Sequence, residues 1–457
     1  MKHLHRILFL LLAGLFAIMF LDSLSHIPVY HEQHHLFLFS SEYFLKHLNL
    51  QGGLLDYVTS FVIQFFYLPY MGSILFALLL SLPYLLNVLI CRRLTQATDY
   101  LQLALIPSLF LFIRYESIDF PVQHAVGFCL SMFSFYLLSL TPGKVKYYGI
   151  IPVTLLLALL TGWLYTLIAL VALLLPCLSA LQFKKIQKRK LLPLLTACIL
   201  LVYAAAAFYS FVSSYNMREH LILKAEEAVK KQDWERVMHY CRRYRGNNQL
   251  IFYFNNMALY HTGRMPYDLL KQPQDMGVLS LFLPWQSDSR QSEYGHYLYE
   301  QLGYTNEAHR WAFEAMVVMG ETPPTLQNLI RYNIDMNRPE VAMRFIRILK
   351  KSLFYRRHAL HYEQMIREKR QKPAEMASDE TIRFANIMNI GPELQYLVDR
   401  DPHNKMAYEY LMSFLLLSND RKRFAENLPL WKNFYKEIPP LYKQMSDRID
   451  SENNLLP

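Results

Sequence analysis

Apolar residues form long uncharged runs in the first half of the chain and short interrupted segments in the second half. The four clearest runs cover residues 70–90, 120–140, 162–181 and 191–212. A helix needs about 20 residues to cross about 30 Å of hydrocarbon, so each run predicts a transmembrane helix. Three shorter runs, 7–21, 101–113 and 147–161, bring the predicted number of crossings to seven.

After residue 215 the pattern changes to short amphipathic helices separated by polar breaks, and one motif recurs after 34 residues. The stretch LYEQLGYTNEAHRWAFEAM is followed by LIRYNIDMNRPEVAMRFIRIL in this register. The spacing resembles the tetratricopeptide (TPR) repeat, with a tight turn at Gly303 or Asn337 and a small residue at Ala308 or Ala342. Stretches around residues 224–244, 253–270 and 406–428 look like more divergent units, and 271–292 reads as a long loop.

The distribution of charge supports this division of the chain. Residues 1–215 hold 13 of the 47 Lys and Arg residues and 7 of the 37 Asp and Glu residues. We therefore predict an all-α protein with a multi-pass transmembrane domain over residues 1–215, including an external loop at 26–56. An α-helical TPR-like domain follows over residues 216–457. A single soluble globule and a disordered chain are both excluded.

Basic residues predict the orientation in the membrane. With the N-terminus in the cytoplasm, 11 of the 13 basic residues of the first half lie on the cytoplasmic side, including the cluster at 184–190. Residues 216–457 are then predicted to lie outside the cytoplasm. The absence of any Asn-x-Ser/Thr acceptor favours a bacterial inner membrane, with this domain in the periplasm. No nucleic-acid-binding motif accompanies the basic excess, so no nucleic-acid partner is expected.

The first external loop carries a short motif with chemical potential. His31, Glu32 and His35 match H-E-x-x-H, in which two histidines on one helix face hold zinc and the glutamate acts as a general base. This pattern predicts a metal site at His31 and His35 in a metallopeptidase. A solvated interfacial loop with clustered histidines is the alternative, so no cofactor is certain and a divalent metal stays open.

The same loop also resembles the start of the GT-C-fold glycosyltransferases, in which an acidic residue follows the first span and two juxtamembrane helices come next. That resemblance implies transfer of a sugar from a lipid phosphate, with Glu32 as acid/base. It places Glu116 and Asp119 of the second external loop as further catalytic residues and Arg114 beside the lipid phosphate. Charged groups near the ends of spans are also common at ordinary membrane interfaces.

The whole chain resembles an uncharacterised family of Bacteroidota membrane proteins, through GGLLDYVTSFVIQFFYLPYMG and NEAHRWAFEAM. Phosphate-binding glycine loops and nucleophile elbows are absent from the sequence. Two functions remain. The first is a membrane-anchored protein whose TPR-like domain binds or assembles a periplasmic protein partner, with membrane lipid around its spans. The second is the GT-C-like transferase.

Overall fold

A computed structural model describes residues 2–68, 70–184, 192–285, 289–371, 383–386 and 388–453 of the chain. Every regular element in this part is a helix, as the sequence predicts. The chain divides into an N-terminal unit, Met1–Asn216 with Lys351–Arg356, and a C-terminal unit, Met217–Lys350 with Arg357–Pro457. The short segment Lys351–Arg356 therefore belongs to the N-terminal unit, although the sequence pattern groups it with the second half.

The N-terminal unit is built from long apolar helices joined by shorter ones. They are α1 (Lys2–Leu21), α2 (His26–Gln33), α3 (Ser41–Leu48), α4 (Gly53–Ile63), α5 (Met71–Thr95), α6 (Ile106–Arg114), α7 (Val122–Ser139), α8 (Val145–Tyr148), α9 (Ile150–Thr161), α10 (Trp163–Lys184) and α11 (Leu192–Ser214).

Five stretches of these helices are long and apolar enough to cross a membrane. The chain is therefore consistent with a membrane protein. They are Leu4–Leu21, Met71–Thr95, Val122–Ser139, Trp163–Phe183 and Pro193–Ser214. Two further apolar segments, Leu103–Arg114 and Val145–Thr161, are shorter. The predicted orientation partly depends on the basic residues within 185–190, and this segment lies outside the described residues.

Helices α5, α7 and α10 run in the same direction. The Cys129 thiol in α7 donates a hydrogen bond to the carbonyl of Leu79 in α5 (3.3 Å), and further along the pair Arg93 lies over the ring of Tyr136. His124 near the start of α7 is hydrogen-bonded to the hydroxyl of Tyr165 near the start of α10 (3.1 Å). Because all three helices run from the same end of the unit to the opposite end, the segments between them lead the chain back to the first end.

The short helix α6 runs opposite to α5. The backbone N–H of Tyr84 donates to the Ser108 hydroxyl (3.1 Å), while the ring of Tyr115, just after α6, lies 5.1 Å from the ring of Phe76. Moving forward along α6 thus means moving backward along α5. We refer to the end of the unit where α5 begins as the Glu32 end, and to the end where it finishes as the Asp99 end.

Helices α1 and α11 also run from the Asp99 end to the Glu32 end. The Ser73 hydroxyl at the start of α5 donates to the carbonyl of Phe20 near the end of α1 (2.7 Å). The Thr196 hydroxyl in α11 donates to the carbonyl of Tyr100 (3.2 Å), and Phe211 stacks on Phe112 fifteen residues later. Helix α9 starts near the Asp99 end, where the Tyr147 hydroxyl donates to the carbonyl of Leu94 (3.2 Å), and it leads into the start of α10.

The C-terminal unit consists of shorter helices packed around one apolar core. They are α12 (Met217–Lys230), α13 (Trp234–Arg243), α14 (Gln249–His261), α15 (Met265–Asp268), α16 (Ser289–Ser292), α17 (His296–Gln301), α18 (Thr305–Met319), α19 (Pro323–Asp335), α20 (Pro339–Leu349), α21 (Arg356–Gln371), α22 (Gly391–Arg400), α23 (Lys405–Leu417), α24 (Arg421–Asn427) and α25 (Pro440–Asn453). The described part of the expected loop at 271–292 contains the 3-10 turn Gly277–Ser280 and α16.

One type of turn recurs between consecutive helices of the C-terminal unit. It has a left-handed residue at Gln232, Gly263, Gly303, Asn337 and Asn419. In each turn the next backbone N–H bonds to the carbonyl five residues earlier, as in Tyr304 to Tyr299 (2.9 Å) and Arg338 to Asn333 (2.7 Å). This is the Schellman arrangement, which closes a helix end and favours Gly or Asn at the left-handed position. The five turns coincide with the five repeat-like stretches identified in the sequence.

Small residues lie where the predicted repeat requires close contact between helices. Ala308 in α18 and Ala342 in α20 are both fully buried. Trp311 is 1% exposed, and its ring leaves no room for a side chain at Gly295. These residues therefore lie in the packed interior of the C-terminal unit.

Candidate functional site at the Glu32 end

Glu32 lies in α2 and its side chain is buried. The residue is only 5% exposed, and Oε1 accepts a hydrogen bond of 2.6 Å from the hydroxyl of Tyr355. Tyr355 is 9% exposed and stands 323 positions later in the chain. A hydrogen bond to an ionised group is stronger than one between neutral groups, and removal of one buried partner is costly. This pair thus joins the first loop to the segment Lys351–Arg356.

Aromatic rings and backbone contacts hold Lys351–Arg356 in the N-terminal unit. Phe354 stacks on Tyr67 with 5.2 Å between ring centroids, and Tyr355 meets the edge of Tyr67 at 5.1 Å. The backbone N–H of Phe39 donates to the carbonyl of Lys351 (2.8 Å). We call Glu32, Tyr67, Phe354 and Tyr355 the Glu32 cluster.

The electrostatics of this region favour a closed, structural arrangement. Burial raises the pKa of Tyr355, and the negative charge of Glu32 raises it further, so the phenol keeps its proton and donates it. Burial lowers the pKa of His31 to about 3, so this imidazole is neutral at physiological pH. Nε2 of His31 is buried with no hydrogen-bond partner among the described residues.

The clustered histidines after Glu32 close the end of α2. The Nδ1–H group of His34 donates to the carbonyl of Tyr30 (2.8 Å), and that of His35 donates to the carbonyl of His31 (2.7 Å). A carbonyl only accepts hydrogen bonds, so the proton is on Nδ1 in both rings. The His35 ring thereby satisfies a carbonyl in the last turn of α2, where carbonyls lack intrahelical partners. The Tyr30 carbonyl also accepts the backbone N–H of His34 (3.2 Å).

The predicted metal site at His31 and His35 requires both residues on one face of a continuous helix. Helix α2 ends at Gln33, so His35 lies beyond it and the requirement is not met. Within the described ranges, no group of three or more His, Cys, Asp or Glu residues is placed to hold a metal ion. The geometry therefore gives the metallopeptidase prediction and its divalent metal no support.

The second loop with candidate catalytic residues follows α6, also at the Glu32 end. Glu116 is buried, at 4% exposed, whereas Arg114 and Asp119 are exposed. Asp119 accepts a hydrogen bond from the Ser117 hydroxyl (3.1 Å), and the Arg114 guanidinium lies over the ring of Phe120 (5.2 Å).

Phe76 lies between the two candidate loops. Its ring centroid is 6.3 Å from that of His31 and 5.1 Å from that of Tyr115, which precedes Glu116. The structure thus brings a residue of each loop, His31 and Tyr115, next to the ring of one phenylalanine. Asp119 and Arg114 instead contact residues of their own loop, Ser117 and Phe120. Two apolar grooves open on the surface of the N-terminal unit, and neither is lined by Glu32, Glu116 or Asp119.

The residue that sequence reasoning missed is Tyr355. Phe354 and Tyr355 fall within the predicted TPR-like domain at 216–457, and no sequence pattern links them to a loop near residue 32. A hydrogen bond between side chains 323 positions apart cannot be predicted from local patterns in a single sequence. The one local indication was the paired aromatics at the break between α20 and α21.

Comparison with known proteins gives one match, to a family model. A model described as a family of unknown function (DUF6057) matches residues 2–217 and 194–446, which together cover most of the chain. No curated protein and no solved structure matches the chain.

Proposed function

Because the chain belongs to the DUF6057 family, whose function is unknown, we propose a function from the contacts of its own residues. The protein is a seven-span anchor of the bacterial inner membrane. Its TPR-like C-terminal unit lies in the periplasm and binds or assembles a protein partner there. The observation that carries this proposal is the hydrogen bond from Tyr355 to the buried carboxylate of Glu32.

The directions of the helices support seven crossings. Helices α5, α7 and α10 run in parallel, so two return passages are needed between them, and α6 and α9 run in the required direction. These two helices have 9 and 12 residues, fewer than the roughly 20 that a perpendicular crossing needs. The adjoining turns Leu103–Leu105 and Val145–Tyr148 extend both passages, and a short hydrophobic stretch is accommodated by local thinning of the bilayer.

The number of crossings is odd whether or not α6 and α9 cross the membrane, and an odd number favours a periplasmic C-terminal unit. Five or seven crossings both put residue 217 opposite the N-terminus, on the side of the first loop. The contact of Lys351–Arg356 with that loop requires the same arrangement, because Tyr355 and Glu32 must share a compartment. The positive-inside rule then assigns the N-terminus to the cytoplasm.

The state of Glu32 favours anchoring over catalysis. A general acid or base needs access to a substrate, whereas this carboxylate is buried and engaged by a hydroxyl of the protein itself. The bond and the surrounding rings hold the segment Lys351–Arg356 within the N-terminal unit.

The C-terminal unit has the features of a partner-binding repeat. Five Schellman turns join its helices in succession, and stacked helix pairs of this kind present extended surfaces that bind peptides or proteins. On α18, Phe313 and Val317 are 46% and 63% exposed and lie four residues apart on one helix face. We propose this apolar strip as part of the partner contact.

The first experiment determines the compartments. We propose a reporter that is active only outside the cytoplasm after Pro457, and cysteine labelling of intact cells with an impermeant reagent at Ser117→Cys and Pro142→Cys. Seven crossings predict an active reporter, labelling at position 117 and none at 142. Labelling at 142 without 117 indicates five crossings, and an inactive reporter contradicts the periplasmic placement.

The second experiment tests partner binding. A photo-crosslinking amino acid at Val317 in the full-length protein is expected to give a discrete adduct in living cells. The same probe at Glu235, an exposed polar position on α13, serves as the control and is expected to give none. If Phe313, Val317 and Val318 all fail to form an adduct, the strip is not the binding surface.

The GT-C-like transferase stays as the second candidate, because the loops of Glu32 and Glu116 flank the same ring, that of Phe76. In this proposal Glu32 is the acid/base, Glu116 and Asp119 assist, and Arg114 binds the phosphate of a lipid-linked sugar. The bond from Tyr355 would then have to open before catalysis. Glu32→Gln abolishes sugar transfer from a lipid-phosphate donor if this candidate is correct, and Tyr355→Phe preserves or increases it. A partner-dependent phenotype with no transfer in the wild type favours the anchor.

A further inference from the structure

An apolar groove with a cation at one end lies between α6, α7 and α10. Its volume is about 400 Å³, and Phe110, Leu111, Phe120, His124, Tyr165 and Ile168 are among the residues that line it. Phe110 and Ile168 are 56% and 50% exposed, so the groove opens sideways from the helices toward the surrounding medium. In a bilayer, a groove of this kind is filled by hydrocarbon chains.

The polar groups of this groove are all near the Glu32 end. His124 and Tyr165 contribute their rings to the wall there, and Nδ1 of His124 is hydrogen-bonded to the Tyr165 hydroxyl (3.1 Å). The ring of His124 also lies 4.5 Å from that of Phe120. Toward the other end the wall is formed by Ile106 and Pro107 at the start of α6, which are apolar.

Arg114 is positioned at the rim of the groove. It follows Phe110 and Leu111 by four and three residues, so it extends from the same face of α6. Its guanidinium lies 5.2 Å from the centroid of Phe120, which lines the groove. Arg114 is exposed, and among the described residues no ion pair or hydrogen bond is recorded for its guanidinium.

We propose that this groove binds an anionic glycerophospholipid, with one acyl chain along α6, α7 and α10 and the phosphate against Arg114. Guanidinium groups bind phosphate through paired, charge-assisted hydrogen bonds. Phosphatidylcholine carries the same phosphodiester, but its choline cation repels the guanidinium and cancels the net charge, so a headgroup with net negative charge is attracted more strongly. Burial of an acyl chain against the apolar wall adds the hydrophobic contribution. The proposal rests on the proposed membrane placement of α6 and α7, and it is independent of partner binding.

A second groove provides an internal comparison. It lies between α1, α6 and α11, has a volume of about 590 Å³ and is lined by apolar residues such as Leu12, Phe16, Leu109 and Ala204. No Lys or Arg is among its lining residues. It is therefore expected to accept acyl chains of any lipid, whereas the groove below Arg114 selects for a negative headgroup.

Native mass spectrometry of the full-length protein in detergent, with added phosphatidylglycerol or phosphatidylcholine, tests this proposal. The wild type is expected to retain phosphatidylglycerol about tenfold more strongly than phosphatidylcholine. Arg114→Gln is expected to remove this preference. Arg93→Gln is the matched control, because Arg93 is also exposed and lies over a ring, Tyr136, but at the Asp99 end and away from the groove.

Two further measurements make the result decisive. Ile168→Trp fills the groove and is expected to reduce retention of both lipids, and 10-fold excess inorganic phosphate is expected to displace neither. Retention of phosphatidylglycerol by Arg114→Gln at the wild-type level overturns the proposal, as does displacement by phosphate or unchanged retention by Ile168→Trp. The reporter and labelling experiments report separately on the membrane placement, so a failure there is distinguishable from a failure of lipid binding.

Discussion

The two units of the molecule differ in the residues that they expose. In the N-terminal unit, large apolar side chains face outward, with Leu159 at 80% and Leu201 at 71% exposed. Its interior is also apolar, with Phe20 and Phe76 fully buried, and it contains hydrogen bonds between helices, such as Asn87 to the carbonyl of Ala172 (2.8 Å). In the C-terminal unit the core is apolar, and the turns between helices are closed by backbone hydrogen bonds. The proposed membrane placement accounts for this difference, because lipid does not favour burial of apolar surface whereas water does.

The largest difference between the two units is expected when a charge is placed on an exposed apolar position of each. Leu201→Arg is expected to impair insertion of α11, because arginine near the middle of a span costs about 3 kcal/mol. Val317→Arg, at a position 63% exposed in the C-terminal unit, is expected to change stability by less than about 0.5 kcal/mol. The fraction of molecules with an active reporter after Pro457 measures the first effect. Equal behaviour of both variants contradicts the assignment of α11 as a span.

Packing in the C-terminal unit is tested at Gly295. A methyl group there would lie 2.2 Å from the Trp311 ring, so Gly295→Ala is expected to destabilise this unit by about 3 kcal/mol. Gly303→Ala is the matched comparison, since its surroundings are open and its cost is the strain of φ +84°, about 1 kcal/mol. The urea midpoint followed by tryptophan fluorescence of the full-length protein measures both. A smaller effect at 295 than at 303 would show that Trp311 does not pack as described.

A pH dependence is expected from Glu307 in α18. Burial raises the pKa of Glu307 to about 7, Arg310 opposes the shift and Glu393 adds to it. Because the folded state binds the proton more tightly than the unfolded state, the contribution of Glu307 to stability is greatest below about pH 4.5. It decreases as pH rises from about 4.5 to 7, by at most about 3 kcal/mol.

Glu307→Gln is expected to remove this loss, since the amide resembles the protonated acid. Urea midpoints at pH 5 and pH 8 provide the measurement. Glu235→Gln, at an exposed position, is the control and is expected to leave the dependence intact. A slope that persists unchanged in Glu307→Gln assigns the dependence to another group.

Much of the fold could be predicted because it follows from local patterns. Uncharged runs identified the long helices α5, α7, α10 and α11, and Gly303 and Asn337 marked two turns that need left-handed backbone. The sequence also identified the apolar runs 101–113 and 147–161, where α6 and α9 lie, but these helices are too short to establish a span by length alone.

The candidate site was predicted less well, because it depends on contacts between distant residues. The sequence identified Glu32 but gave no means of finding Tyr355, and it gave His35 a metal-binding role that requires a longer α2. Helix ends are the least certain feature of sequence-based assignment. A difference of two residues changed His35 from a candidate ligand into a group that closes the helix.

The central claim, that Glu32 secures the segment Lys351–Arg356, is tested most directly by a double-mutant cycle. Tyr355→Phe, Glu32→Leu and the double variant are compared by denaturant unfolding of the full-length protein in micelles. The account predicts that Tyr355→Phe costs about 2 kcal/mol and that the double variant costs less than the sum of both single changes by a similar amount. Tyr203→Phe, which removes a neutral hydrogen bond to the carbonyl of Leu101, is expected to be additive with Glu32→Leu. Additive effects of Tyr355→Phe and Glu32→Leu would contradict the claim.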